Sequence, residues 1–305
     1  MKPLVMVTHN YPKGDSQAGS FLLDYVDSLD RPVKVLHYDF GEYPLVRKIK
    51  NPLKWPKFVW YLTKVYFSLR KEVNRDTEVI ANWWIPIGWM TVLFSDRVHV
   101  ISHGTDLYWL SNHRGVANWL RRLASRVEQW QCVSSFLNKK LKALYGVDGF
   151  VKPMPISKCF QRLPEVTREP NLVVSAGRFV GRKSYDVLIR TVAAIPGARL
   201  ELYGEGPDSE QLARLVTSLG VEDRISITDH FIPKEELAVV FNRASLFVSL
   251  AEGQGYGLVL EEALACGCPT MAYPGDGQEE AGITFELDAS DDLIERIASI
   301  LGTSA

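Results

Sequence analysis

Two stretches of this 305-residue chain combine residue types suited to binding a phosphate or diphosphate. The first is S-A-G-R-F-V-G-R-K-S-Y-D (175–186), at the end of an apolar β-branched run. Arg178 and Lys183 stand there in a loop ahead of an amphipathic segment, where two cations could hold a diphosphate. The second is S-L-A-E-G-Q-G-Y-G-L-V-L-E-E-A-L-A-C-G-C-P (249–269). Gly253, Gly255 and Gly257 lie between a strand and a helix that opens at Leu258. Glycines let a backbone approach a ligand closely, and a helix N-terminus offers unpaired N–H groups and a positive dipole end. Glu262 follows within the helix, where a carboxylate could accept hydrogen bonds from a ribose diol. Alone, the first stretch is more readily a solvated basic loop, and the second is evenly balanced against an ordinary strand–turn–helix. Their succession in one half of the chain favours a shared ligand.

In the first half, His103 directly follows an apolar run in I-S-H-G-T-D (101–106). A histidine there can contact a ligand or be a satisfied residue near the core. The turn H-N-Y-P-K-G-D-S-Q-A-G (9–19) ends in Gly19, which opens the next helical segment. Trp83 and Trp84, in A-N-W-W-I-P-I-G (81–88), either line a cleft or pack the core.

These residues need strand ends to hold them. Strands are predicted over 4–8, 33–38, 78–81, 98–102, 129–133 and 149–151, and helices over 20–29, 53–72, 87–94, 116–126 and 136–144. Residues 152–170 hold four prolines and no period, which reads as a linker. The alternation then restarts, with strands over 172–176, 199–203, 225–228, 246–249 and 270–273 and helices over 184–194, 209–219, 234–242, 258–265 and 291–301. Alternation of this kind predicts an α/β chain of parallel sheets covered by helices. The domains are expected at 1–152 and 171–305, both Rossmann-like, with 153–170 between them and the last helix able to pack back on the first domain. Doubly wound domains bind ligands outside the carboxyl ends of their strands.

Residues 254–269 resemble the E-x7-E signature of family 4 glycosyltransferases, which have the GT-B fold. The family pattern E-G-F-G-x-x-x-x-E-A-M-A-x-G-x-P corresponds to Gln254-Gly255-Tyr256-Gly257, then Glu262-Ala263-Leu264-Ala265, Gly267 and Pro269. Gln254 replaces the first Glu, keeping hydrogen-bonding capacity and losing charge. Residues 177–184 resemble the family's G-R-x-x-x-x-K-G, with Ser184 for the last Gly. L-E-L-Y-G-E-G-P (200–207) resembles the family's strand and G-x-G-P turn, and D-H-F-I-P (229–233) stands where the family has a loop beside the base. His103-Gly104 and the turn at 9–19 resemble two further family loops. The resemblance covers essentially the whole chain and is strongest at 171–273.

The resemblance implies two Rossmann-like domains facing a central cleft, the first receiving the acceptor and the second the donor. It implies a metal-independent, retaining transfer from a nucleotide-diphosphate sugar, a UDP-sugar ranked ahead of a GDP-sugar, with no cofactor. Arg178 and Lys183 would bind the diphosphate and stabilise its departure. Glu262 would hold the ribose, and Gln254 and His103 would orient the sugar. Gly19, Gly204, Phe231, Ile232, Gly255, Tyr256, Gly257 and Leu258 would complete the donor site.

Composition bounds the reading. A formal net charge of −1 with 46% hydrophobic residues excludes a disordered tail, a collagen-like fibre and a wholly basic nucleic-acid binder. The total hides two halves. Residues 1–162 carry 24 Lys and Arg against 13 Asp and Glu, a net +11, and residues 163–305 carry 11 against 23, a net −12. Residues 45–75 hold nine basic side chains and one acidic, Glu72, interleaved with Trp55, Phe58, Trp60, Tyr61, Tyr66 and Phe67. Such a segment fits an anionic membrane surface, ranked first. An amphipathic cover for the sheet ranks second, and nucleic acid or another polyanion third. With the transfer that the resemblance implies, the expected acceptor is a glycan, lipid-linked or close to a membrane.

The four cysteines form no C-x-x-C pair, which suits a reduced cytoplasmic location, at the inner face of a membrane where the basic segment docks. No D-x-D occurs, and no metal site is expected. Gln254 leaves open a catalytically impaired or hydrolytic relative, and the basic segment leaves open transfer to a polyanion such as nucleic acid. The lack of G-x-G-x-x-G after the first strand ranks a dehydrogenase low.

Overall fold

A computed structural model describes residues 4–12, 19–39, 55–251, 255–288 and 291–303. The chain forms two compact units, Met1–Pro155 and Ile156–Ala305. The first holds strands β1 (Leu4–Thr8), β2 (Val33–His37), β3 (Glu78–Asn82), β4 (Arg97–Ser102), β5 (Gln129–Cys132) and β6 (Phe150–Val151). All pair in parallel, in the order β2-β1-β3-β4-β5-β6. Every residue of β1 is buried, as expected of a parallel strand with both faces covered.

The helices of this unit are α1 (Phe21–Asp27), α2 (Trp55–Glu72), α3 (Thr105–Asn112), α4 (Arg114–Ala124) and α5 (Ser135–Tyr145). Val65 and Leu69 of α2, and Ala117, Leu120 and Ala124 of α4, are buried at helical spacing. Helix α3 has no counterpart among the predicted elements. Gly104, at φ 110°, turns the chain sharply off β4, and Leu107 and Leu110 then bury one short face. Nor do residues 87–94 form one helix. Trp84–Gly88 is a wide turn followed by a short helical turn at Trp89–Thr91. Ile85 is extended there, and Pro86 has no N–H to donate.

The second unit holds β7 (Leu172–Ala176), β8 (Arg199–Gly204), β9 (Ile225–Asp229), β10 (Leu246–Ser249), β11 (Thr270–Ala272) and β12 (Phe285–Glu286), again all parallel. Their order is β12-β11-β10-β7-β8-β9. Helices α6 (Tyr185–Ala193), α7 (Ser209–Leu219), α8 (Lys234–Arg243), α9 (Leu258–Ala265) and α10 (Leu293–Leu301) complete it. One core layer joins α6, α7 and α10 to the sheet, and another joins α8 and α9.

Ile297 and Ala298 of α10 are buried in the second unit's own core. The proline-rich stretch has no helix or strand, and part of it packs on the second unit. Phe160 is buried in the second core, and the Asn242 side chain accepts from Leu163 N at 2.8 Å and donates to Gln161 O at 2.9 Å. Further along, Glu169 pairs with Arg199 and Arg243, both at 2.7 Å.

The G-x-G turn after β8 is explained by backbone packing. A Cβ on Gly204, which sits at φ 149°, would lie 1.9 Å from the Gly177 carbonyl oxygen. Gly177 N and Phe179 N donate to Tyr203 O and Glu205 O, both at 2.9 Å, so the two loops are locked together. Gly204→Ala should destabilise the protein by about 2–4 kcal/mol in denaturant unfolding. Gly115→Ala, where nothing lies within 4 Å of the added carbon, should instead gain about 0.5 kcal/mol.

Candidate functional site

In the second sheet the strand order reverses between β7 and β10. Loops leaving neighbouring strand ends diverge at such a point and leave a crevice. The loop after β7 carries Arg178 and Lys183, and the loop after β10 leads to Gly255, Tyr256 and Gly257. The two sequence stretches with phosphate-binding character therefore leave adjacent strands, about 5 Å apart.

Arg178 is exposed, without an ion pair among the described residues. Lys183 is half-buried at the end of a tight turn, Gly181–Lys183. A Cβ on Gly177 would lie 3.6 Å from Lys183 Nζ, so the ammonium sits against the strand-end backbone. Burial pushes its pKa down to about 8, and the neighbouring Arg182 adds to the effect. A cation held out of water in this way gains from an incoming anion.

Gly257 caps α9, and Leu258 is its first residue. The Tyr256 hydroxyl donates to Glu261 Oε2 at 2.8 Å. Glu262 is half-buried on α9. Gln254 lies outside the described residues. Phe231 and Ile232 are half-buried beyond β9, two strand spacings or about 10 Å from β7. Ile232 also packs against the α8–α9 core. Gly204 meets the Gly177 backbone, as described above.

A cavity of about 410 Å³ adjoins this edge, lined by Ser184, Val187, Leu250, Ala251, Tyr273 and Gln278 among others. Gln278 is buried in its wall and donates through Nε2 to Ala251 O at 3.0 Å. That contact ties the loop after β11 to the end of β10, and no sequence motif drew attention to it.

In the first unit the order reverses between β1 and β3. Their carboxyl ends, with that of β4, bring together His9, Asn82, Trp83 and His103. The His103 ring lies 4.4 Å from Trp83 and 5.2 Å from Phe21, and His9 lies 4.7 Å from Trp83. His103 Nε2 is 3.3 Å from Asn82 Oδ1. Burial pushes the pKa of His103 down to about 3, with His9 adding to the effect. Burial, then His37, pushes His9 down to about 4. Both rings are therefore neutral at pH 7, suited to hydrogen bonding rather than to carrying charge. Gly19 packs on the backbone that follows β1, since a Cβ there would come within 2.9 Å of Asn10 O.

The tryptophan pair divides its work. Trp84 is fully buried core and donates from Nε1 to the Tyr145 hydroxyl at 3.2 Å, whereas Trp83 packs on the histidines. Asp106 holds the arrangement in place. Its buried carboxylate accepts from Trp84 N at 3.0 Å, Ser102 Oγ at 2.9 Å and Leu107 N at 3.0 Å. Burial raises its pKa, and those three donors oppose the rise. The H-G-T-D sequence contains this residue, but nothing in spacing alone marks an Asp as a strut.

His99 and His103 are four residues apart, a spacing that on a helix would suit a shared metal. Here His99 lies on β4 and His103 directly follows it, so extended backbone separates them by about 13 Å. Among the described residues no three His, Cys, Asp or Glu side chains gather as metal ligands.

Comparison with known proteins fits this geometry. Residues 161–302 match the family model of glycosyl transferases group 1. A GDP-mannose-dependent monoacylated alpha-(1-6)-phosphatidylinositol monomannoside mannosyltransferase of Corynebacterium glutamicum is 23% identical over 97% of this chain and 88% of its own length. A GDP-mannose-dependent alpha-(1-6)-phosphatidylinositol monomannoside mannosyltransferase of Mycolicibacterium smegmatis is 27% identical over 60% of this chain, which spans about half (54%) of that relative. The crystal structure of Anabaena HepE in complex with UDP and glucose superposes with a TM-score of 0.70 at 15% identity, over 98% of this chain and 89% of HepE. The fold is that of the GT-B class. The chain is a glycosyltransferase, with its glycosyl transferases group 1 match in the second unit.

His9 and His103 give stability a pH dependence, to which His99 adds, since burial pushes its pKa down to about 4 as well. Below pH 6.5 the unfolded chain takes up protons at all three, while the folded state takes up none until about pH 4 at His9 and His99 and about pH 3 at His103. Stability is thus complete above 6.5 and falls with pH, by about 1–2 kcal/mol per histidine between pH 7 and 5. Urea unfolding at these two pH values should show the loss. His103→Gln should lower it by one histidine's share, which separates it from Asp106, whose raised pKa acts with the opposite sign.

Proposed function

We propose that this glycosyltransferase is a retaining enzyme of the family 4 type. It takes a nucleotide-diphosphate sugar, a UDP-sugar ahead of a GDP-sugar, and needs no metal. Its acceptor is a glycan, lipid-linked or close to an anionic membrane that residues 45–75 touch from the cytoplasmic side. Residues 1–152 receive the acceptor and residues 171–305 the donor.

The observation that carries this reading is the Lys183 ammonium held beside Gly177, one strand away from the loop that opens α9. Arg178 supplies a second cation from the same turn, and the N–H groups after Gly257 supply further donors. These groups are in place before any ligand arrives, so they stabilise charge as it develops on the departing diphosphate. Glu262 holds the ribose, and Phe231 and Ile232 flank the base. Gln254 and a neutral His103 orient the sugar by hydrogen bonds. The acceptor attacks on the face the leaving group departs from, and a donor phosphate oxygen helps take its proton. In support, the Corynebacterium relative is named as GDP-mannose-dependent, and the HepE structure contains UDP.

Gln254 motivates a second reading, an impaired or hydrolytic relative. A wild type that binds donor and transfers nothing, with transfer gained in Gln254→Glu, would put that reading in place of the first.

A thermal-shift panel of UDP- and GDP-sugars should show stabilisation by one class of donor. Arg178→Ala and Lys183→Ala should each weaken binding of the matching nucleoside diphosphate by about 1–3 kcal/mol in calorimetry. Unchanged affinity in both would remove them from the site. Because Lys183 loses its proton near pH 8, wild-type affinity should fall as pH rises through that value, and Lys183→Arg should flatten the fall.

A further inference from the structure

Helix α2 buries one stripe and exposes another that is not polar. Val65 and Leu69 face the sheet, while Val59, Trp60 and Phe67 are 58%, 55% and 60% exposed. Trp60, Lys64, Phe67 and Lys71 follow one another at steps of four, three and four residues, so they form a single outward ridge. Lys64 Nζ lies 3.7 Å over the Trp60 ring. Arg70 and Lys71 are exposed at the same ridge's end.

A second ridge lies on α4, where Trp119 and Arg122 point away from the buried Ala117 and Ala124, with Val116 at its border, 38% exposed. Trp119 is 63% exposed, more than any other large apolar side chain described, and Trp89 packs edge-on to it at 5.3 Å. The 84–94 segment lies between the two helices. Phe94 meets Tyr66 of α2 at 5.0 Å, and Trp89 meets Trp119 of α4. All three connections run toward β6 in the strand order, and right-handed crossovers put them on one face of the sheet.

Charge sorts the same way. Neither α4 nor the stretch from Trp55 to Lys71 contains an acid. Three acids near the amino edge of the sheet are ion-paired there, Glu72 with Lys34, Glu78 with Arg31, and Asp96 with Arg75 and Arg126.

The geometry points to one docking face, built by α2 and α4 together, for an anionic lipid bilayer. Exposed tryptophans flanked by Lys and Arg suit the headgroup boundary, and the exposed valines gain only from hydrocarbon. A nucleic acid would use the cations and rings but not the valines. Both helices run antiparallel to the strands, so Trp60 lies in the half of α2 nearer the carboxyl edge that holds His103. Docking there brings lipid close to the first unit's candidate site. This inference deepens the acceptor reading and rests on it for its purpose, while its test needs no sugar donor.

Sedimentation with vesicles of phosphatidylcholine alone, and of phosphatidylcholine mixed with phosphatidylglycerol, tests it. The wild type should bind the mixed vesicles and bind the neutral ones at least tenfold more weakly. Trp60→Ala/Phe67→Ala and Trp119→Ala should each weaken binding to mixed vesicles by about tenfold, with donor-induced thermal shift unchanged as a control for folding. No binding to mixed vesicles, or binding to a DNA oligonucleotide that survives these substitutions while vesicle binding is absent, would overturn the proposal. Loss in the α2 variant alone would overturn the joint face. A protein that binds vesicles but no nucleotide sugar would instead fail the transfer reading and leave the docking face standing.

Discussion

Parallel pairing is the constraint on which the rest depends. Every strand in both sheets runs the same way as its neighbours, so all carboxyl ends within a sheet share one edge. The connection leaving each strand must therefore begin at that edge, whatever its sequence. Where the winding reverses, two such loops part and leave room for a ligand. The β7 and β10 loops do this in the second unit, and the β1 and β3 loops in the first. Sequence neighbours such as Gly177 and Lys183 then act within a geometry set by strands far from them in the chain.

Burial gives the two edges different chemistry. In the second unit it weakens the proton affinity of Lys183, so the ammonium is poised to be stabilised by an anion. In the first it holds His103 and His9 neutral, removing charge and leaving hydrogen-bonding nitrogens among aromatic rings. The cost of desolvation has opposite uses in the two places. A half-buried cation is a charge reserved for a partner, whereas a half-buried imidazole is a dipole with a fixed orientation. Asp106 shows the third case, a carboxylate kept in place by three donors of its own chain.

Much of this was legible in the sequence because its signals are local. β-branched runs located eleven of the twelve strands closely, and the twelfth, Phe285–Glu286, is only two residues long. Glycines beside Arg178 and Lys183 marked the loop after β7, and three closely spaced glycines marked the loop after β10. Helix α3 escaped because its start is set by a positive φ at Gly104, not by a capping side chain. The turn at 84–88 escaped because the apolar period continues through Pro86, where the backbone cannot. Asn82, Asp106 and Gln278 were opaque for another reason. Each draws its role from partners on other elements, and spacing along the chain carries no trace of them. Gly204 is the reverse case, since its motif resemblance pointed to a ligand and the structure supplies a sufficient cause in the Gly177 backbone.

The near-zero net charge is a poor guide to what this molecule attracts. Screening limits an exposed charge to roughly 8–10 Å in ordinary salt, so a surface responds to its local pattern and not to the chain total. In the first unit Glu72, Glu78 and Asp96, near the amino edge, each lie within ion-pair distance of a basic side chain, which uses positive charge where it cannot reach a distant surface. The basic residues of α2 and α4 keep theirs next to exposed rings. An excess of +11 over residues 1–162 thus matters less than where it is left uncancelled. Along α2 it coincides with Val59, Trp60 and Phe67, whose exposure to water is itself unfavourable. Charge and apolar area there favour the same kind of surface, and neither feature alone would distinguish a bilayer from a solvated helix.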